Sequence, residues 1–410
     1  MDDRVVISGI GSVTPLGTTT RQTWAGLLAG RSGVDRISLF DPSDLPTRIA
    51  AEVHGFDAGA YLAPKQANRT SRTSQFAVVA AREAVRDAGL PGDLSETEAA
   101  VILNSAVSGF AEVQEATEAF HSGGTRRISP RFVPSSLTNM PACEIAIDLG
   151  VHGPVNASAL ACASGAHALV EARRLVLSGD ADVVLAGGAD ASITPVMFAG
   201  LSAMRALSRR NDSPAEASRP FDADRDGFVF GEGAVVMVVE RLSRARARGA
   251  TGYAEILGGA LTSDAFNIVA PEPSGRYATR AITRALRAAR LDPGDVDLVC
   301  AHGTSTRAND RTETAALRQA LGAAADDVAV SAPKSMVGHL IGAAGAVAGL
   351  VCALAISEGV IPPTLNYTTP DPDCDLDYVP GCAREQSVRH AFTNAFGFGG
   401  QNCVVAFGAI

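Results

Sequence analysis

The segment Ala159-Leu160-Ala161-Cys162-Ala163-Ser164-Gly165-Ala166 opens a helix-like run that closes at Gly179 and carries Val170, Ala172 and Val176. At a constant offset of 180 residues, Gly345 and Gly359 bracket a second run with Ala346, Leu350, Cys352 and Ile356. Both follow a strand-like stretch and a loop of small residues. Both read as apolar nearly all round, the pattern of a helix buried between layers. One reading is an internal duplication, splitting the chain near residue 248 into halves 1–248 and 249–410. The other is that two Ala-rich helices resemble each other through composition alone. Under duplication, the start of the Cys162 helix and the loop at His339 take equivalent places where the halves meet.

Around these runs, short Val- and Ile-rich stretches alternate with longer Ala/Leu/Arg helical patterns, as in a layered α/β fold. Strands are expected at 4–10, 99–103, 182–186, 233–240, 253–258, 297–300, 328–331 and 403–407, and helices at 74–88, 163–177, 277–289, 311–321 and 342–357. The segment 110–131 fits an insertion or cap over the core. Segment 208–226 reads as a polar loop centred on Arg219-Pro220-Phe221-Asp222.

The 410 residues are enough for two domains or one large two-part domain. A hydrophobic fraction of 46% with 19% charge describes a well-buried globular protein and excludes a disordered or coiled-coil chain. The net charge of −9 argues against a nucleic-acid groove, while a local basic patch remains compatible with an acidic protein partner. The cysteines at 143, 162, 300, 352, 374, 382 and 403 show neither C-x-x-C nor regular spacing, so neither a zinc site nor a disulfide framework is expected. The start Met1-Asp2-Asp3-Arg4-Val5-Val6-Ile7 has no leader pattern, and later apolar stretches read as broken before membrane-span length. The expectation is a cytoplasmic, reduced protein without a membrane anchor.

Three local signals carry chemistry. Cys162 sits among Ala, Ser and Gly, where a ligand can approach closely. A thiol at a helix start faces the positive end of the macrodipole, which predicts a lowered pKa and a nucleophilic thiolate. His302 lies in Ala301-His302-Gly303-Thr304-Ser305-Thr306, and Lys334 and His339 share Lys334-Ser335-Met336-Val337-Gly338-His339. Together they imply covalent acyl chemistry on sulfur. A buried lysine is costly unless paired, so Lys334 beside His339 argues for purpose. The glycine-rich runs lack the strand–loop–helix fingerprint of a dinucleotide site, and no metal-ligand constellation is expected.

With Ser218-Arg219-Pro220-Phe221-Asp222, Asp226-Gly227-Phe228-Val229-Phe230-Gly231-Glu232-Gly233 and Phe396-Gly397-Phe398-Gly399-Gly400, these motifs resemble the β-ketoacyl-acyl-carrier-protein synthases, in order from residue 4 to the C-terminus. The likeness is closest to the elongating forms: the fatty-acid type II enzyme and the ketosynthase subunit of type II polyketide synthases. Asn309-Asp310-Arg311-Thr312-Glu313-Thr314 is more similar to the aromatic-polyketide subunit, whereas the stretch 369–380 is shared by both groups.

The resemblance implies a thiolase fold, a five-layer α-β-α-β-α sandwich, normally dimeric. It implies decarboxylative Claisen condensation of malonyl carrier protein with an acyl chain held on Cys162. His302 and His339 would stabilise the developing charge and Lys334 would orient that network. The N–H groups of Cys162 and Phe398 would form the oxyanion hole, with Phe398 also a gate. Asp310 and Glu313 would support the site from behind, or serve only as helix-start carboxylates. Thr304 and Thr306 would meet the pantetheine arm, or merely satisfy their loop, and Val107 would line the acyl tunnel. Lys65, Arg69, Arg72, Arg126, Arg127 and Arg205 would dock an acidic acyl carrier protein, or stand as solvated charges. No cofactor of its own is expected, because 4′-phosphopantetheine comes on the carrier. The partner would be a chain-length-factor-like homologue or a second copy. The chain departs from the pattern at Ala348, where the family usually has a Glu that pairs with the lysine, so that Lys334 would either find another partner such as Glu313 or sit buried with a depressed pKa, and at Gln401, where the fatty-acid enzymes usually have Thr. Rival readings are a housekeeping fatty-acid homodimer and a non-catalytic chain-length-factor scaffold, which usually lacks the cysteine and histidines retained here.

Overall fold

The computed structural model describes residues 4–410. Ten strands join into one sheet. In chain order they are β1 (Val5–Val13), β2 (Ala99–Asn104), β3 (Val155–Asn156), β4 (Val183–Asp190), β5 (Gly233–Arg241), β6 (Ala254–Ser263), β7 (Leu298–Cys300), β8 (Ala329–Ser331), β9 (His390–Gly397) and β10 (Gln401–Gly408). The first half runs β3-β2-β4-β5-β1 and the second β8-β7-β9-β10-β6. These are one topology used twice. In the first half β2 is parallel to β3 and β4, while β4–β5 and β5–β1 are antiparallel. In the second, β7 is parallel to β8 and β9, while β9–β10 and β10–β6 are antiparallel. The halves join where Val6 and Ile7 of β1 meet Glu255 and Ala254 of β6. The shared order selects duplication over chance likeness of composition.

Six helices complete the layers: α1 (Arg72–Asp87), α2 (Met140–Leu149), α3 (Ser164–Ser178), α4 (Arg276–Ala289), α5 (Arg307–Leu321) and α6 (Ala344–Glu358). One apolar cluster joins α1 and α2 to the first half-sheet, and another joins α4 and α5 to the second. The largest cluster lies between the half-sheets and encloses α3 and α6. The result is the α-β-α-β-α sandwich. Repeated burial of Val, Ile, Leu and Ala across these clusters is the main stabilising term, because apolar surface removed from water contributes about 25 cal/mol per Å².

Helices α3 and α6 touch through glycines placed reciprocally. A Cβ on Gly165 would stand 2.6 Å from the Ala346 nitrogen, and one on Gly345 would stand 2.5 Å from the Ala166 nitrogen. Neither contact admits a side chain, so the backbones set the separation of the halves. Of the two, only α6 is apolar all round; α3 carries Arg173, whose guanidinium donates to the Ile256 carbonyl at 2.8 Å. The stretch Ile341–Glu358 is 18 residues and apolar enough to span a membrane, longer than the sequence pattern suggested, but 83% of it is buried. Protein neighbours, not lipid, surround it.

Several elements lay outside the sequence expectation. Strand β9 was hidden because Thr393 and Asn394 interrupt its apolar run, yet both are buried. Strand β3 has only two residues and α2 begins beside Pro141. Segment 110–131 contains the helix Phe110–Gly123 and a 3₁₀ turn Gly124–Arg127, neither with a buried residue, which suits a cap. Gly165→Ala and Gly345→Ala should each lower stability by about 1–3 kcal/mol, through overpacking against backbone. Thermal unfolding checks this, with Gly179→Ala a poor control because Gly179 adopts φ +82°, and the open Gly294 a suitable one.

Candidate active site

Each middle helix is entered through a tight 3₁₀ turn, Ala161–Ala163 before α3 and Ile341–Ala343 before α6. Ala161 and Ile341, the equivalent first residues, both take left-handed backbone with φ 47° and 48°. Such strain is kept where surrounding structure over-determines it. At the first turn, the Leu160 N–H donates to Ser164 Oγ (2.9 Å), whose hydroxyl donates to the Ala161 carbonyl (2.7 Å). The β9–β10 hairpin presses on the same turn: a Cβ at Gly397 would lie 2.8 Å from the Leu160 carbonyl oxygen. Cys162 is thereby held, nearly buried, between the two halves.

His339 is pinned beside it. Its N–H donates to the Val229 carbonyl (2.7 Å) and its own carbonyl accepts from Gly231 (2.9 Å). Burial, reinforced by the charge of Lys334, holds the His339 imidazole well below its ordinary pKa. The ring is therefore neutral. Because Nδ1 accepts the Ile341 N–H at 3.1 Å, the single ring proton sits on Nε2, which lies 3.0 Å from Cys162 Sγ. His302 follows the same logic. Burial, then Lys334, then His339 lower its pKa, and Lys334 Nζ faces its Nδ1 at 3.5 Å. One ligand atom each from Cys162, His302 and His339 falls within 4.8 Å of the others. With both Nδ1 atoms met by donors, the imidazoles present N–H groups rather than lone pairs towards the sulfur. That set suits an anion forming beside a thioester better than a metal ion.

Two electrostatic expectations are corrected. The Cys162 thiol is pushed up to about 11 by burial, outweighing the lowering effects of Lys334 and the N–H groups of Phe398 and Cys162 itself. The helix start was visible in the sequence, but the loss of solvation was not. Secondly, of the two alternatives for Lys334 the structure takes the buried lysine with depressed pKa, and Glu313 does not replace the missing carboxylate at Ala348. Its oxygens accept from the N–H groups of His302 (2.7 Å) and Gly303 (2.8 Å), and from Asn394 (3.0 Å). Glu313 thus fixes the His302 loop, and reaches Lys334 only as a more distant charge. Lys334 Nζ instead donates to the His302 carbonyl at 2.5 Å. Burial lowers its pKa. Asp310, raised to about 6 by burial, accepts from the Phe221 N–H (2.8 Å) and faces Arg225 (3.5 Å), so it anchors the 218–226 loop. In that loop, the Ser218 hydroxyl donates to the Lys334 carbonyl (2.7 Å).

Cys162, both histidines, Phe398, Thr304, Thr306 and Val107 all line one cavity of about 550 Å³. Thr304 and Thr306 hydroxyls lie 2.9 Å apart, and Thr306 also caps α5 by accepting from the Asn309 N–H. Phe398 is partly exposed on the hairpin turn, before Gly399 and Gly400 at φ 79° and 72°. Gln401 begins β10. The expected docking cations divide. Lys65, Arg126, Arg127 and Arg205 are exposed, and Arg205 reaches the cavity rim. Arg69 is held by Glu144 (2.7 Å), and Arg72 by buried Glu232 (2.6 Å) and the face of Phe76. These last two are fold cations rather than free docking charges.

Asp190 was missed. Its carboxylate accepts from Ser105 Oγ (2.5 Å), the N–H groups of Ala106 (3.1 Å) and Val107 (3.0 Å), and the Gly342 N–H (2.6 Å). A carboxylate ending the apolar strand VVLAGGAD was the available signal. Asn394 was missed with β9.

A buried thiol meeting two N–H-bearing imidazoles under a lysine, in a duplicated five-layer fold, defines an acyl-thioester condensing enzyme. Residues 2–245 match the family "Beta-ketoacyl synthase, N-terminal domain", and residues 253–368 match "Beta-ketoacyl synthase, C-terminal domain". The chain is 46% identical over 405 residues to a 3-oxoacyl-[acyl-carrier-protein] synthase 2 of Synechocystis sp., covering 98% of this chain and 97% of that one. It is 42% identical over 407 residues to the same-named protein of Staphylococcus aureus, covering 98% of each. Among solved structures, the ishigamide ketosynthase/chain length factor matches with TM-score 0.92 at 35% identity, covering 99% of each chain. A type II PKS acyl-carrier protein in complex with its ketosynthase bound to the hexaketide matches with TM-score 0.92 at 31% identity, covering 100% of each. The chain belongs to the β-ketoacyl synthase family and is a ketosynthase, an acyltransferase.

With the thiol pushed up to about 11, the thiolate fraction rises with pH throughout the neutral and mildly alkaline range. Alkylation of Cys162 by iodoacetamide should therefore accelerate about tenfold per pH unit from 7 to 10, followed by intact mass. A plateau by pH 9 would contradict the buried-thiol assignment. Lys334→Ala removes a lowering charge and should slow the reaction severalfold at fixed pH.

Proposed function

We propose that this chain is the ketosynthase subunit of a type II polyketide synthase, condensing malonyl carrier protein with an acyl chain on Cys162. The observation that carries the chemistry is the convergence of the Cys162 sulfur with the N–H faces of His302 and His339. In the first step the Cys162 sulfur bonds to the acyl carbonyl, the carrier's C–S bond breaks, and the thiol proton leaves on the pantetheine sulfur. In the second, malonyl thioester loses CO₂ and its enolate attacks the acyl carbon, expelling the Cys162 thiolate. The two imidazoles donate to the enolate oxygen, and the N–H groups of Cys162 and Phe398 to the oxyanion at the acyl carbon. Each such donor contributes about 3 kcal/mol to such charge stabilisation. Burial, reinforced by the charge of Lys334, keeps both rings neutral, and Lys334 holds the His302 loop. Retention of this set argues against a scaffold role.

The Asn309-Asp310-Arg311 sequence and the likeness to polyketide ketosynthases support the polyketide assignment. The higher identity to 3-oxoacyl-[acyl-carrier-protein] synthase 2 proteins favours the second reading, a housekeeping homodimer. For either, a homologous subunit is the expected partner. Val155 on β3 is exposed at the open edge of the sheet, while β8 at the other edge is buried. Phe110, Phe120, Val133 and Leu137 add exposed apolar surface on the cap. An unpaired sheet edge and exposed apolar residues each offer surface to a second chain. The carrier protein would approach the exposed cations Lys65, Arg126, Arg127 and Arg205, bringing its own pantetheine.

The deciding experiment incubates the protein, alone and with any ketosynthase-like protein encoded beside it, with acyl- and malonyl-carrier proteins. Product from the protein alone supports the homodimer; product only with the neighbour supports the polyketide heterodimer. No Cys162 acylation in either case sinks the enzymatic reading. Cys162→Ala should abolish loading. His302→Ala and His339→Ala should load yet condense about 10²–10³ times more slowly. Val107→Phe should shorten the products, read by mass spectrometry.

A further inference from the structure

Strand β4 ends in Asp190, a buried carboxylate that does not line the cavity. Its backbone stays in the sheet, paired with Gly233 of β5. Four donors converge on its side chain. Oδ1 accepts from the Ser105 hydroxyl (2.5 Å) and the Val107 N–H (3.0 Å), and Oδ2 from the N–H groups of Ala106 (3.1 Å) and Gly342 (2.6 Å). Burial pushes Asp190 up to about 6 against the lowering effect of these donors, so it is mainly a carboxylate above neutrality. Hydrogen bonds to an ionised acceptor are the stronger kind.

The Gly342 contact matters most, because of what its neighbour does. Gly342 is the middle residue of the 3₁₀ turn Ile341–Ala343. The preceding N–H, that of Ile341, donates to His339 Nδ1 at 3.1 Å. Successive N–H groups of one turn are thus bound to the imidazole and to Asp190. Ile341 keeps this arrangement at φ 48°, in left-handed backbone that costs an L-residue about 1–2 kcal/mol. The turn is seated closely on the strand. A Cβ on Gly342 would stand 2.4 Å from Asp190 Oδ2, and one on Gly188 would stand 2.5 Å from the Gly342 carbonyl oxygen. Two glycines let the turn rest on the end of β4, and the carboxylate fastens it there.

We infer that Asp190 is a positioning residue for His339: through Gly342 and Ile341 it fixes which ring nitrogen carries the proton. Its consequence for the reaction rests on the donor role proposed above for His339. A neutral imidazole has one proton, and the partner of one nitrogen decides whether the other holds it. While the Ile341 N–H occupies Nδ1, the proton is on Nε2, 3.0 Å from the Cys162 sulfur. Released from Asp190, the turn can relax its left-handed residue and withdraw that N–H. The ring proton is then free to sit on Nδ1, which leaves a lone pair facing the sulfur. Such a ring can still take the thiol proton as Cys162 is loaded, but it donates nothing to an enolate oxygen. Loading and condensation separate, which a general loosening of the fold does not produce.

The test uses Asp190→Asn, an isostere whose amide must turn a donor towards donors. Isotope-labelled histidine reports the tautomer by NMR, and His339→Ala identifies its signal among the seven histidines. Intact mass follows Cys162 loading and single-turnover condensation from octanoyl- and malonyl-carrier proteins, with the homologous subunit present if turnover requires it. Wild type should show the Nε2–H ring. In the variant the Nδ1–H ring should appear, with loading within about threefold of wild type and condensation slowed about tenfold or more. Asp190→Ala, which removes the acceptor without placing a donor there, gives the same comparison if the amide weakens folding. Ser105→Ala leaves the Gly342 contact in place and should leave tautomer and condensation unchanged; a shift there too would assign the effect to the 105–107 loop and overturn the inference. An Nε2–H ring in the Asp190 variants overturns it as well, as does a loss of loading as large as the loss of condensation. A ring shifted to Nδ1–H with condensation at the wild-type rate upholds the positioning role and overturns the donor role of His339 instead.

Discussion

The close crossing of α3 and α6 is the constraint on which the molecule depends. Gly165 and Gly345 let two backbones meet where side chains ordinarily keep helices about 8–10 Å apart. That approach brings the entrance turns of both helices together, and with them Cys162 and His339. Cys162 stands within one turn, and His339 lies just before the other. Widening the crossing would separate sulfur from imidazole before it disturbed either half-sheet. The chemistry is thus a property of an interface between repeats, and neither repeat contains it alone.

Electrostatics at that interface are governed by dehydration. Burial raises the thiol and lowers both imidazoles, so the resting site is close to neutral apart from Lys334. The lysine charge opposes protonation of the rings and favours ionisation of the sulfur, a single source acting on three groups in the direction the reaction needs. Its ammonium is met by a backbone carbonyl rather than a carboxylate. An acid placed at Ala348 would offset that charge; its absence leaves more of the field available to the thioester site. Pre-oriented N–H dipoles in a dry cavity act more strongly on a developing anion than the same groups in water.

Much of this was legible in the sequence because its signals are local. Small residues around Cys162, the two histidine motifs and apolar strand runs all report through neighbours a few positions away. The 180-residue echo even indicated the duplication, although it took the matching strand order to separate descent from composition. What escaped depends on distance in space. Strand β9 is polar where it supports Glu313 through Asn394, so its pattern was broken by its own purpose. The thiol was misjudged because a helix start can be read from sequence and solvent exclusion cannot. Glu313 was one of two alternatives open for Lys334, and the fold turns it instead towards two backbone N–H groups. Arg69 and Arg72 resembled free cations only while Glu144 and Glu232 lay far off along the chain.

Duplication left the protein with two strained turns and a need for only one nucleophile. At the place equivalent to Cys162 stands Gly342, whose N–H shares the Asp190 carboxylate with the N–H groups of Ala106 and Val107. The idle copy has become a rivet. It fastens the cavity wall at Ala106 and Val107 to the turn that follows His339. The backbone of that wall and the histidine loop are therefore mechanically linked, and a shift of one is passed to the other. Side-chain changes at Val107 or Met197 leave that link untouched, which makes the surface of the wall, not its backbone, the freer ground for divergence.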